Sequence, residues 1–198
     1  MNDFSEEYVE NYEQKCLCVL VLDVSNLLGP AQIAEMNKSL QEFYKIIQED
    51  ETTSQRMEFC IITYGEGVSI IQEPCTVERF SMPAIPSSKS LPALTEAINE
   101  AIGKVDARKR WYKETGQIYY RPMIVLVSKE KYTSVYESPL YEILKRDISE
   151  KIYSFVNFVM DVMSHQEEWI VSMGNGSKDF SSAFHKILVN EFVRDWLT

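Results

Sequence analysis

Cys16–Leu22 (CLCVLVL) is an unbroken run of seven apolar residues that stops at Asp23 and passes into VSNLLGP. A strand with one wet face alternates apolar and polar positions. A short run without alternation marks a strand covered on both faces. Helices must then lie on either side of the sheet that holds it. The segment MIVLV, Met123 to Val127, repeats the pattern directly after Pro122, a residue tolerated at a strand start but not within a central strand. Asp23, at the end of the first run, poses the functional question. Such a carboxylate is either a solvated loop residue or helix cap, or the first member of a site.

The remaining segments supply the covering layers. Ile33, Met36, Leu40, Phe43 and Ile47 recur at three- and four-residue spacing after the Gly29-Pro30 break, which predicts an amphipathic helix. ETTSQR reads as a polar loop. MEFCIITY and VSIIQEP flank Gly65-Glu66-Gly67, the pattern of two antiparallel strands joined by a short turn. RFSMPAIPSSKSLP is a surface loop. Leu94, Ala97, Ile98, Ala101, Ile102 and Val105 mark a second helix, and a third is expected from Pro139 to Glu150. YSFVNFVMDV fits a strand or a buried helix by periodicity. Trp169–Met173 is a candidate last strand, and Phe180–Leu197 a closing helix capped by Asp179, with Phe184, Ile187, Leu188, Phe192 and Trp196 on its apolar face. The alternation predicts a Rossmann-like α/β fold: a mostly parallel central sheet with one antiparallel edge strand. The expected organisation is an acidic N-terminal extension, 1–15, followed by a single domain, 16–198.

Composition narrows the function classes. A chain of 198 residues, 45% hydrophobic, has the length and apolar content of one globular domain. Its formal charge of −10 opposes sequence-independent binding to nucleic acid. The basic run Lys104, Arg108, Lys109, Arg110 and Lys113 reads first as cations complementing a helix C-terminus, with a binding patch as the alternative. The first fifteen residues are acidic, unlike a signal peptide, and no apolar run approaches the ~18 residues of a membrane span. Cys16, Cys18, Cys60 and Cys75 have no zinc-type spacing and behave as small apolar residues of a reducing compartment, with Cys16 and Cys18 on one strand face. The expected location is cytoplasmic, with no membrane partner.

LVLDVS with its following helix, the hairpin FCIITYGEGVSIIQEP, the helix LTEAINEAI and the stretch RKRWYKETGQIYYRPMIVLVS together resemble a von Willebrand factor A (VWA) domain. The likeness is nearest to bacterial tellurite-resistance proteins of the TerY type. It implies a three-layer VWA sandwich and covers residues 16–130. The family's metal-ion-dependent adhesion site uses Asp-x-Ser-x-Ser, a threonine from a second loop and an aspartate after the fourth strand, an oxygen set suited to Mg²⁺. By the resemblance, Asp23 and Ser25 match the first two ligands. Leu27 replaces the third, Pro92 (or Ser90 in a shifted loop) stands for the threonine, and Lys129 for the aspartate. A cation at about 4 Å in an effective dielectric near 20 changes the interaction by roughly 4 kcal/mol. The expectation is therefore a degenerate site that needs no cofactor, with Lys129 reaching Asp23 in the cation's place.

No catalytic constellation appears. His165 and His185 lack a partnered nucleophile, and neither GxGxxG nor a P-loop lysine motif is present. The expected function is a non-enzymatic protein-interaction module in a bacterial stress-response or conflict-defence system. The resemblance implies kinase or phosphatase-like partners. Its contact face would be Asn26, Leu27, Leu28, Lys129, Tyr132 and Tyr136, tyrosine being enriched at interfaces. The alternative is a Mg²⁺-dependent ligand binder using Asp23, Ser25, Ser90 and Glu130.

Overall fold

A computed structural model describes residues 12–79, 81–91, 93–128, 138–159 and 170–172. Its elements are β1 (Cys16–Asp23), α1 (Pro30–Glu49), α2 (Glu51–Arg56), β2 (Met57–Gly65), β3 (Gly67–Thr76), a 3₁₀ turn (Val77–Arg79), α3 (Leu94–Thr115), β4 (Met123–Ser128), α4 (Pro139–Ser149), β5 (Ser154–Val159) and β6 (Ile170–Ser172). The sheet runs in the order β3-β2-β1-β4-β5-β6. Every described pairing is parallel except β2 with β3. The expected mostly parallel sheet with an antiparallel edge strand is thus the one observed.

β1 shows why the apolar run is continuous. Cys16, Cys18, Leu20 and Leu22 belong to a core shared with Ile33, Met36, Leu40, Phe43 and Ile47 of α1. Leu17, Val19 and Val21 belong to a second core, shared with Leu94, Ala97, Ile98, Ala101 and Val105 of α3 and with Leu140 and Leu144 of α4. Both sets are fully buried, so each residue of the run serves one of two helix layers. Cys16 and Cys18 share the α1 face, and burial pushes both thiols up from their ordinary pKa.

Two expectations change. ETTSQR is not a loop: Glu51–Arg56 forms α2, and the Asp50 side chain accepts a hydrogen bond from the Thr53 amide at 2.6 Å. An all-polar single turn has no hydrophobic period, so its cap is the only sequence signal. Hydrogen bonds from the Thr53 side chain and amide together hold the Asp50 carboxyl below its ordinary range. A carboxylate with a depressed folded pKa adds stability above its unfolded pKa and loses it as pH falls through the folded value. Asp50→Ala is therefore expected to cost about 1 kcal/mol at pH 7 in urea denaturation, and the difference from the parent should vanish in acid.

The basic run is likewise no patch and no simple dipole complement. Lys104 is buried on α3, with Nζ at 3.0 Å from Glu73 and 3.7 Å from Glu100. Arg108 is only 1% exposed and pairs with Glu58 of β2. Lys113 alone occupies the last turn of α3, ahead of the left-handed Gly116 cap. A run of cations in one dimension thus divides among faces of a helix that packs over β1, β2 and β3. YSFVNFVMDV resolves to β5 over Ser154–Val159, paired with β4. Asp179 and the expected helix Phe180–Leu197 lie outside the described residues.

Lys15, just ahead of β1, is tied to two other segments. The Lys15 amide donates to the Ile118 carbonyl at 2.9 Å, its carbonyl accepts from Tyr120 at 2.8 Å, and its ammonium donates to the Gln55 carbonyl at 2.7 Å. Burial lowers the Lys15 pKa, with Glu58 and Glu13 opposing that shift. Glu13 is tied to Arg56 at 2.8 Å, so residues 13–15 close the strand-start end of the sheet.

Candidate functional site

The opposite end of the sheet, where β1 and β2 finish, carries the sequence-predicted positions. Asp23 is buried, and its Oδ1 accepts from the Ser25 amide at 2.8 Å. This turn, built by an aspartate on its own backbone, redirects the chain out of the strand. Ser25 is fully buried; its Oγ lies 3.4 Å from the Leu27 amide and its carbonyl accepts from Leu28 at 3.1 Å. Asn26 is exposed and Leu27 half-buried.

The second loop does reach the first. Ser88 donates its amide to the Val24 carbonyl at 2.7 Å, and Asn26 donates to the Ser90 carbonyl at 3.0 Å. Asp23, Ser25 and the 88–90 segment are therefore neighbours. Two residues differ from expectation. Leu28, assigned to an exposed contact face, is only 4% exposed and packs in the α1-side core. The Ser25–Leu28 turn directs it inward, where burial of its side chain is favourable. Ser90 takes part through its backbone carbonyl. Pro92, Lys129, Glu130, Tyr132 and Tyr136 lie outside the described residues.

Two further residues at the rim carry no signal in the sequence. The Ser88 hydroxyl accepts from the Glu66 and Ser90 amides, both at 3.2 Å, and so pins the second loop to the β2–β3 turn. Leu91, next to Ser90, is 73% exposed, a large apolar residue beside the rim. In the sequence, the serine of SSKS is indistinguishable from any loop serine. The partner glycine is more telling. A Cβ on Gly65 would lie 2.8 Å from Ser88 Cβ and 3.2 Å from Val24 Cγ2. Gly65→Ala is expected to cost about 1–3 kcal/mol from forced displacement of this loop. Adding Ser88→Gly should recover most of that loss in the same thermal or urea unfolding series. A Gly65→Ala chain as stable as the parent would show that the contact yields freely.

Asp23 is the one carboxylate of the rim positions 23–28 and 88–91, and one of its oxygens is engaged by the chain's own amide. No group of three His, Cys, Asp or Glu among the described residues is placed to hold a metal ion. A dication prefers several oxygens converging on one point, and among the described rim residues Asp23 supplies the one carboxylate. No described helix is long and apolar enough to cross a membrane.

No family model and no curated protein matches this chain. Among solved structures it is similar to proximal thread matrix protein 1 from the mussel byssus, at 12% identity and a TM-score of 0.57. That match covers 93% of this chain and 47% of the mussel protein, so the chain spans about half of its length. It is also similar to the ArnB paralog VWA2 from Sulfolobus acidocaldarius, at 15% identity and a TM-score of 0.45, over 74% of this chain and 34% of that one. At this level of identity, the first likeness supports a shared fold.

Proposed function

We propose that this chain is a metal-independent, non-enzymatic protein-interaction module of VWA-like architecture. It acts through the rim formed by the end of β1 and the 88–91 loop. The observation that carries this reading is the use of the rim's oxygens. Asp23 Oδ1 and the Ser90 carbonyl each accept from the rim's own amides, at 2.8 and 3.0 Å. Half-buried Leu27 and exposed Asn26 and Leu91 form the outer surface. Such a surface suits contact with a protein better than capture of a dication. By the TerY-type resemblance, the setting is a bacterial cytoplasmic stress-response or conflict-defence system, with kinase or phosphatase-like components as partners.

An affinity pull-down from native lysate, read by mass spectrometry with and without EDTA, tests the proposal when paired with Leu91→Asp. Retention of one partner in both arms, and its loss with Leu91→Asp, is the expected result. A partner lost only with EDTA would overturn metal independence and favour Mg²⁺ binding through Asp23, Ser25 and Ser90.

A further inference from the structure

The loop between the 3₁₀ turn and α3 is fastened at two places. Asn37 and Gln41 of α1 bond the Ile85 and Met82 backbone. Ser88 bonds the Val24 carbonyl through its amide and the Glu66 amide through its hydroxyl. Between the loop residues Pro86 to Lys89 and the β2–β3 hairpin lies a cleft of about 520 Å³, and no residue of α1 lines it. That volume falls within the roughly 300–1,000 Å³ of small-molecule sites, and a wall fastened on both sides leaves it pre-formed.

Hydroxyl groups line both walls: Thr63 and Ser69 from the hairpin, Ser87 and Ser88 from the loop. A serine hydroxyl has two acceptor lone pairs and one hydrogen. The Ser88 oxygen accepts from the Glu66 and Ser90 amides, both at 3.2 Å, so only its hydrogen remains to be used. No acceptor among the described residues takes it. Thr63 is 3% exposed, and its hydroxyl reaches the Ser69 carbonyl at 3.5 Å, beyond the usual range of such a bond. A buried hydroxyl held by so long a contact gains from a closer partner, and the cleft is where one can sit. The Ser69 and Ser87 hydroxyls have no partner among the described residues.

The charges at the cleft narrow the ligand class. Glu66 and Lys89 both line it, both are exposed, and neither makes an ion pair among the described residues. One carboxylate and one ammonium cancel, so the site has no net preference for an anion or a cation. Four hydroxyls on two walls call for donors and acceptors spread over the ligand. A zwitterion concentrates them at one end, whereas a polyhydroxylated ring distributes them. Ile71 and Pro86 add apolar surface for the C–H face of such a ring.

We propose that this cleft binds a neutral polyhydroxylated ligand of mono- or disaccharide size. Ser88 donates to it and Thr63 holds it at the buried end. Glu66 accepts from, and Lys89 donates to, its hydroxyls at the mouth. The inference does not rest on the role of the β1 rim, since Leu91 does not line the cleft.

The test is saturation-transfer NMR of the full chain with glucose, galactose, mannose and maltose, then calorimetric titration of each sugar that responds. At least one is expected to bind saturably, and more tightly than glucuronate or alanine. Thr63→Val removes the hydroxyl and keeps the branched shape; it should weaken binding at least about fivefold. Ser87→Ala, on the exposed loop, should weaken it at least about twofold and carries the test if urea denaturation shows Thr63→Val unfolded. Leu91→Asp should leave sugar affinity unchanged, which separates failure here from failure of the rim reading. Absence of saturable binding by all four sugars would overturn the proposal. So would tighter binding of glucuronate or alanine, affinity that survives both hydroxyl substitutions, or loss of sugar binding with Leu91→Asp.

Discussion

Arg108→Met is expected to destabilise this protein by about 3–5 kcal/mol in urea denaturation, more than any surface charge change. Arg108 holds Glu58 through two bonds, Nε to Oε2 and Nη2 to Oε1, each 2.8 Å long, with both side chains 1% exposed. The Tyr112 hydroxyl also donates to Glu58 Oε2. The guanidinium lies 4.0 Å from the Trp111 ring centroid, and the Tyr112 ring stacks on Tyr119 at 4.8 Å. Removing the arginine leaves a carboxylate buried without its counter-charge, and that uncompensated charge dominates the cost. The double variant Glu58→Leu with Arg108→Met removes both charges and should recover much of the stability, since apolar replacements of buried pairs are often near neutral. Equal losses for the single and double variants would show instead that the pair itself stabilises the fold. Tyr112→Phe should cost less, about 1–2 kcal/mol, because Glu58 keeps its arginine. Burial and the charge of Glu58 both raise the Tyr112 pKa, so its hydroxyl remains a donor well into alkaline solution.

Phe43→Ala is expected to cost about 3–5 kcal/mol, with Phe43→Leu losing appreciably less. The ring is 1% exposed and meets Phe59 edge-on, with centroids 5.7 Å apart and planes at 82°. Truncation removes the buried ring and leaves a cavity between α1 and the sheet that a packed core closes only in part. The change also bears on the second loop. From the same helix, Asn37 exchanges two hydrogen bonds with the Ile85 backbone, at 2.6 and 3.0 Å, and Gln41 donates to the Met82 carbonyl at 2.7 Å. Protection of the Ile85 amide from hydrogen exchange should fall together with global stability. A Phe43→Ala loss below about 1 kcal/mol would mean that the site collapses without a cavity.

The layer architecture was legible because it rests on periodicities. Seven apolar residues without alternation demanded cover on both faces, and Ile33 to Ile47 on α1 and Leu94 to Val105 on α3 provided it at helical spacing. The hairpin was legible through Gly65-Glu66-Gly67, where Gly67 takes a φ of 77° that side chains other than glycine's rarely adopt. α2 and β5 were not. One is a single polar turn without a period, and the other an apolar segment that pairing with β4 defines as a strand. Of the candidate site, Asp23 at the end of β1 was legible. The inward turn of Leu28 was not, because a four-residue turn carries no hydrophobic period to mark its inner side.

By itself, then, the sequence determined which segments are buried on two sides, where the chain turns back, and that a carboxylate ends the first strand. Those properties are local: a strand's alternation and a helix's spacing follow from backbone geometry alone. Tertiary structure decided everything that depends on which residues face one another across the sheet and its helix layers. It matched Arg108 with Glu58 fifty positions away, set Ser88 against Gly65, and placed β3 at one end of the described strand order. Burial fixes what each pairing costs or contributes. A cation is a solvated charge on an exposed helix face and a structural requirement when its carboxylate is sealed from water beside it.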